Sequence, residues 1–213
     1  MLFCDSESKN LVLDIVAHNS MTMIRDIYRC DWPGNDPLVI EYHDREWGVP
    51  VHDDPKWFEF IILDTFQAGL SWRTILHKRE NFSKAFDDFD YRKIALYGDT
   101  KVSALLSDAG IIRNRLKINA SINNAKRFIE IKEQFGSFDA WIWQFTGGST
   151  IVNRWKSLSD IPATSEESDR MSEALKKRGF KFVGSTTCYA FMQAGGMVND
   201  HLVHCFRYKE VGR

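Results

Sequence analysis

Apolar positions along the chain recur at helical spacing, and capping residues mark where the runs begin and end. Asp53-Asp54-Pro55 reads as a helix start, an acidic cap ahead of proline in the first turn. Trp57, Phe58, Phe60, Ile61, Ile62 and Leu63 follow, apolar nearly all round, which predicts a central helix. Thr100 opens a helix carrying Val102, Leu105 and Leu106, ended by Gly110. Arg113 to about Phe135 reads as a long amphipathic helix with Leu116, Ile118, Ile122, Ala125, Phe128 and Ile129 on or near one face, closed by Gly136. Further helices are expected over Thr164–Lys177, Ser185–Ala194 and, at the end, Asn199–Phe206. No stretch alternates apolar and polar over strand length, so the pattern predicts a helical chain without a sheet. Residues 1–22 carry no clear packing pattern and are expected to form an N-terminal extension, poorly ordered, ahead of one domain over 23–213.

Composition changes this picture little. Hydrophobic residues make up 44% and charged residues 27% of 213, ordinary for a globular protein. The net charge of -1 does not announce a nucleic-acid binder, so any such footprint must be local. Asp14 interrupts the early apolar stretch, leaving neither a secretory signal nor a membrane span. The expectation is a cytoplasmic protein, monomeric by default, with no membrane partner. The four cysteines are too few and too scattered for a disulfide scaffold.

Two of them stand near histidines. Cys30 and His43 lie early, and His201 and Cys205 lie late, four apart, where a helix would put both on one face. Two thiolates and two imidazoles saturate a tetrahedral zinc, which would then be structural. Taken alone, the set fits either such an ion or four unrelated residues; His204 is a poorer spare ligand. The segment Leu175 to Ser185 has glycine at each end of a turn, Gly179 and Gly184, between two helices. Lys176, Lys177, Arg178 and Lys181 make it basic, and the amides opening the next helix at Ser185 point outward. It is either a grip on a DNA backbone or a plain connection with a solvated basic rim.

These pieces coincide in one family. From about Arg29 to Phe206 the chain resembles the DNA-3-methyladenine glycosylase I family of the helix–hairpin–helix glycosylase superfamily. The resemblance rests on Arg29-Cys30-Asp31-Trp32, Tyr42-His43-Asp44-Arg45-Glu46-Trp47-Gly48-Val49-Pro50, Gln67-Ala68-Gly69-Leu70-Ser71-Trp72, Asp108-Ala109-Gly110-Ile111-Ile112-Arg113, Lys176 to Gly184, and Val198-Asn199-Asp200-His201. It implies an all-α, helix–hairpin–helix glycosylase fold of two helical lobes. It also implies a structural Zn2+ on Cys30, His43, His201 and Cys205 that joins the terminal segments.

The implied reaction is hydrolysis of the N-glycosidic bond of 3-methyladenine in double-stranded DNA containing alkylated bases, with no lyase step. The base would be flipped into a pocket. Tyr42 and Trp72 offer faces for it, Trp47 a wall, and Asp64 a polar contact to the base edge. Asp64 stands where the family carries a glutamate, and Val39 where some members place a tyrosine. Phe66 also replaces a smaller or polar residue and is a candidate for restoring stacking. Asp64 alone reads rather as a helix-end residue that reaches water. Leu70, beside Gly69, is either a wedge filling the gap left by the flipped base or a core leucine. Lys176, Lys181, Gly184 and Ser185 would hold the backbone. The position that carries a catalytic aspartate elsewhere in the superfamily corresponds to Asn199, and Asp200 is expected to point elsewhere. The rival readings are a non-catalytic binder of damaged DNA and a glycosylase for another alkylated purine.

Overall fold

The computed structural model describes residues 12–14 and 25–211. Ten α-helices follow one another among them: α1 (Pro37–Arg45), α2 (Asp54–Gln67), α3 (Trp72–Leu76), α4 (Arg79–Ala85), α5 (Tyr91–Ile94), α6 (Asp99–Ser107), α7 (Arg115–Phe135), α8 (Phe138–Ile142), α9 (Glu166–Lys177) and α10 (Ser185–Ala194). The expected extension lies outside the described residues except for Val12–Asp14 (β1), which pairs antiparallel with Arg25–Ile27 (β2).

α2 is the hub, packed against α3, α7, α8 and α10. Its start follows from chemistry: the Asp53 carboxylate accepts from the Lys56 N–H at 3.0 Å, and Pro55 sits in the first turn. Ten of its fourteen residues are buried, including Trp57, Phe58, Ile62, Leu63 and Phe66. At roughly 1.5–3 kcal/mol for each fully buried large apolar side chain, this one helix anchors the core. The Trp57 ring also forces a glycine in the loop after α10: a Cβ on Gly195 would stand 2.1 Å from it. α7 closes one side of the hub, capped by Asn114 and ended at Gly136, whose φ of +87° suits glycine.

Three expectations need correction. The final helix over Asn199–Phe206 does not form. Val198–Asn199 is a short strand (β4) parallel to Ile151–Val152 (β3), residues 200–205 are a loop, and a 3₁₀ turn follows at Phe206–Lys209. Long-range bonds override the helical spacing there: the Val203 N–H donates to the Trp155 carbonyl and the Leu202 N–H to the Cys30 sulfur. The absence of sheet also fails in detail, since β1–β2 and β3–β4 are two-stranded ladders. Phe66 does not reach a pocket; it packs on Phe82 and Phe86, at centroid distances of 4.6 and 5.6 Å.

No helix among the described residues is long and apolar enough to cross a membrane.

Candidate active site and metal centre

A cavity of about 410 Å³ opens between the end of α2, the turn that follows it, and the length of α10 from Thr186 to Ala194. The sequence-predicted residues Tyr42, Trp47, Asp64 and Trp72 all line it, although they come from α1, the loop after it, α2 and α3. Tyr42 and Trp72 face each other at 5.0 Å between ring centroids. Sequence reasoning missed Trp32, whose ring lies 5.1 Å from Trp47 and 6.4 Å from Tyr42. It also missed Gln67, Tyr189 and Gln193, and the Ile161–Ala163 loop that forms the opposite wall. Val39 is buried in the apolar cluster with Tyr42 and Leu76 and is not a lining residue.

Four buried side-chain polar atoms among the described residues lack a hydrogen-bond partner: Trp32 Nε1, Asp64 Oδ2, Trp72 Nε1 and Arg207 Nε. Three of the four belong to lining residues of this one cavity. A buried polar atom left unpaired costs about 1–3 kcal/mol, so such a concentration marks groups held ready for a ligand. Asp64 is the sharpest case. It is only 4% exposed, in the last turn of α2, and burial pushes its carboxyl up to about 8. The negative end of the α2 dipole lies there as well and opposes ionisation. Burial therefore favours the protonated acid, and a cationic guest would favour the carboxylate.

A second carboxylate lies behind the wall. Asp200 does not itself line the cavity. It is 1% exposed and accepts from Asn153 Nδ2 and Trp155 Nε1 on one oxygen, each at 2.7 Å. On the other it accepts from Tyr189 Oη and Gln193 Nε2, each at 2.8 Å. Two lining side chains are thus oriented by one buried acid. Asn199 is spent elsewhere: its amide donates to the carbonyls of Tyr208 and Val211.

Beside the pocket the four predicted ligands converge. The donor atoms of Cys30, His43, His201 and Cys205 lie within 4.8 Å of one another, all buried. The sulfur–nitrogen separations are 3.8 Å for Cys30–His201, 3.6 Å for Cys205–His43 and 3.6 Å for Cys205–His201. Zinc bonds of about 2.3 Å to sulfur and 2.0–2.1 Å to nitrogen in a tetrahedron require edges of about 3.6 Å. The outward ring nitrogens are committed too. His43 Nδ1 bonds Asp44 at 2.7 Å, itself clasped by Arg29, and His201 Nε2 donates to the Trp47 carbonyl at 3.0 Å. The hydrogen bond between the two thiols pulls Cys205 down and pushes Cys30 up, so they share a negative charge that a divalent ion would neutralise. The donor set fits a metal. It is assembled by a loop, not by the helix face that the His201–Cys205 spacing suggests, and His204 is exposed and takes no part.

The residues expected to contact DNA lie in the turn after α2 and in the hairpin before α10. Gln67 and Trp72 line the cavity, and the turn between them presents Leu70, which is 42% exposed and outside the core. Gly69 has a φ of +78°, a conformation costly for other residues. Across the opening, Thr186 of α10's first turn also lines the cavity. The hairpin before it takes the expected shape: Gly179 has φ +87°, and the Phe180 N–H reaches back to the Leu175 carbonyl. Lys176 and Lys181 are exposed. Gly184 caps α10 at a φ of -63°, so openness rather than a left-handed backbone is its use; no atom lies within 4 Å of where a Cβ would stand. No side chain caps α10, which leaves the first amides from Ser185 onward without a capping partner.

Known proteins resemble this chain in sequence and fold. The profile of the methyladenine glycosylase family matches residues 32–208. The DNA-3-methyladenine glycosylase 1 of Escherichia coli K12 is 50% identical over 180 residues, 84% of this chain and 96% of that protein. A crystal structure of 3-methyladenine DNA glycosylase I superposes with a TM-score of 0.82 at 50% identity, covering 84% of this chain and 98% of that one. A tyrosine-to-phenylalanine variant of such an enzyme, solved in complex with 3-methyladenine, superposes with a TM-score of 0.81 at 32% identity over 84% of this chain and 96% of that one. The chain belongs to the methyladenine glycosylase family.

Proposed function

We propose that this protein is a monofunctional base-excision repair glycosylase that removes 3-methyladenine from alkylated double-stranded DNA and leaves an abasic site. The observation that carries the reading is the buried, unpartnered Asp64 carboxyl on an aromatic-walled cavity. A 3-methylated adenine in DNA is a cation, and it supplies the counter-charge that Asp64 lacks; ordinary adenine does not. Tyr42 and Trp72, already in contact at 5.0 Å, together offer an aromatic surface to the flipped base, Trp47 bounds it, and Asp64 contacts its edge. Asp200 fixes Tyr189 and Gln193 at the wall.

In the chemical step the bond between C1′ and the base nitrogen breaks, and its electron pair leaves with the base, which becomes neutral. Water oxygen bonds to C1′ and gives its proton to solvent. The leaving group is already activated, so no strong acid is needed. The reaction is hydrolysis without a lyase step, for which an amine nucleophile would be needed.

Cys30, His43, His201 and Cys205 would hold a structural zinc, which clips the first and last parts of one domain together and ties two helical lobes. Lys176, Lys181, Gly184 and Ser185 grip the backbone while Gly69 and Leu70 occupy the gap. The protein works as a cytoplasmic monomer.

The test is incubation of purified protein with methylated DNA and chromatographic identification of the released bases, with Asp64→Asn and Trp72→Ala as controls. Release of 3-methyladenine, weakened in both variants, is expected. Release of a different alkylated purine would shift the substrate. Tight binding to abasic-site DNA with no base released would make the protein a non-catalytic binder.

A further inference from the structure

Lys117 is a buried cation that the proposed reaction does not use. It is 5% exposed, in the first turn of α7. Its ammonium donates to the Phe66 carbonyl at 2.7 Å and the Ala68 carbonyl at 2.6 Å. These belong to the orphan carbonyls at the end of α2, where a positive charge also meets the favourable end of the dipole. Burial alone pulls its pKa down; no carboxylate contributes. On its other side the ammonium lies 6.0 Å from the centre of the Phe182 ring, a cation–π contact. Phe182 sits in the hairpin at a φ of +57°, a strained conformation for an aromatic residue.

The two ends of this contact are the two rim elements assigned to DNA. Ala68 opens the turn in which the Leu70 N–H closes onto the Gln67 carbonyl. Phe182 belongs to the hairpin, which α7 holds two turns further on. The Asn124 amide donates to the Lys181 carbonyl at 3.0 Å and its oxygen accepts from the Lys181 N–H at 2.8 Å; the Asn123 amide donates to the Gly179 carbonyl at 2.8 Å. One helix therefore fixes the hairpin by two asparagines, and about 9 Å along its axis a single lysine touches both the hairpin ring and the Leu70 turn.

We propose that Lys117 is a positioning residue that couples the hairpin to the Leu70 turn, so that seating the hairpin on the DNA backbone sets the turn that fills the gap left by the flipped base. The inference rests on the proposed function for the roles of Leu70 and the hairpin. Without the ammonium, the end of α2 keeps unpaired carbonyls and the turn is free to settle in other conformations. Most of the cavity wall comes from other elements, Tyr42 from α1, Trp47 from the loop after it, Tyr189 and Gln193 from α10, and stays in place.

The test uses Lys117→Met, which keeps length and removes charge, in the wild-type and Leu70→Ala backgrounds, with Lys117→Arg as the conservative rescue. Three quantities are read: single-turnover excision from a 3-methyladenine duplex, affinity for an abasic-site duplex, and binding of free 3-methyladenine by tryptophan fluorescence. Lys117→Met is expected to slow excision about tenfold or more, with partial rescue by arginine, and to change free-base affinity by less than about twofold. In the Leu70→Ala background it should cost less than about twofold, because the group through which it acts is gone. Equal losses in both backgrounds would overturn the proposal, as would a loss of free-base binding in step with excision. If Lys117→Met fails to fold, Lys117→Gln, which keeps a donor without charge, answers the same question. Should the wild type release no base, the functional reading fails separately, and the abasic-duplex affinities of the same proteins still decide the coupling.

Discussion

The His201 ring stands 4.6 Å from the Trp47 indole, at 79° to it, and its Nε2–H donates to the Trp47 carbonyl. One residue thus backs onto the Cys/His cluster and lines the cavity. The cluster sits directly behind the pocket wall, so the integrity of one is mechanically tied to the shape of the other.

Metal removal should therefore be felt twice. The ligands span Cys30 to Cys205, and a cross-link closing a loop of that length is worth roughly 3–5 kcal/mol. Chelation, or Cys205→Ser, is expected to lower Tm by about 10 °C in a domain of this size. A blue or red shift of tryptophan emission from Trp47 and Trp32 should accompany it. One zinc per chain should be released to a chromophoric chelator on thiol modification. A protein that purifies without metal at undiminished Tm would contradict the assignment.

Asp64 gives the pH dependence its sign. In the free protein its carboxyl titrates near 8, and the ionised form is the one that pairs with a cationic base. Below that value kcat/KM should fall about tenfold per pH unit, as the ionised fraction does. Once the lesion is bound, its positive charge favours ionisation, so the acid limb of kcat should lie at lower pH than that of kcat/KM. Asp64→Asn should remove both limbs and reduce excision about a hundredfold or more. Coincident acid limbs in the two parameters would show that the lesion's charge is not felt at Asp64.

The same carboxyl is a cost to the fold. Its folded value, about 8, lies above the unfolded value of about 3.9, so between the two the folded chain binds more protons. Stability contributed by this proton is complete below about pH 4 and is lost as pH rises toward 8. Relative to Asp64→Asn, the wild type should lose about 1.4 kcal/mol of stability per pH unit across that window and hold level above it. Urea unfolding of both proteins at several pH values reads the difference directly; a flat difference would mean that Asp64 is ionised or paired in the folded protein.

What the sequence made legible follows from where the determining forces act. α2 and α10 are visible because their caps, Asp53 and Gly184, and their apolar runs are local. α10 spans Ser185–Ala194, as the pattern predicts. The segment after it misleads because His201 and Cys205 stand four apart, as on a helix face, while contacts to Trp155 and Cys30 set a loop. Trp32, Tyr189 and Gln193 escape for a related reason: nothing local distinguishes them until the chain brings them to Asp64. The partners of Asp200 are illegible because its four donors come from residues 153 to 193. The order of family motifs carried the metal and pocket residues further than periodicity could.

The hairpin offers the last test. With a chain net charge of -1, affinity for undamaged DNA must come from local cations, and Lys176 and Lys181 are exposed on either side of the Gly179 turn. Removing one lysine–phosphate pair takes about one unit off the slope of log K against log salt, without changing which base is excised. Lys176→Ala and Lys181→Ala should each weaken binding to any duplex and flatten that slope by about one. Binding of free 3-methyladenine should be untouched, because neither lysine lines the cavity. The measurement is a fluorescence-anisotropy titration of a lesion-free duplex at several salt concentrations. Slopes unchanged in both variants would move the DNA path off the hairpin, whereas a slope reduced in only one would show which side of Gly179 the backbone follows.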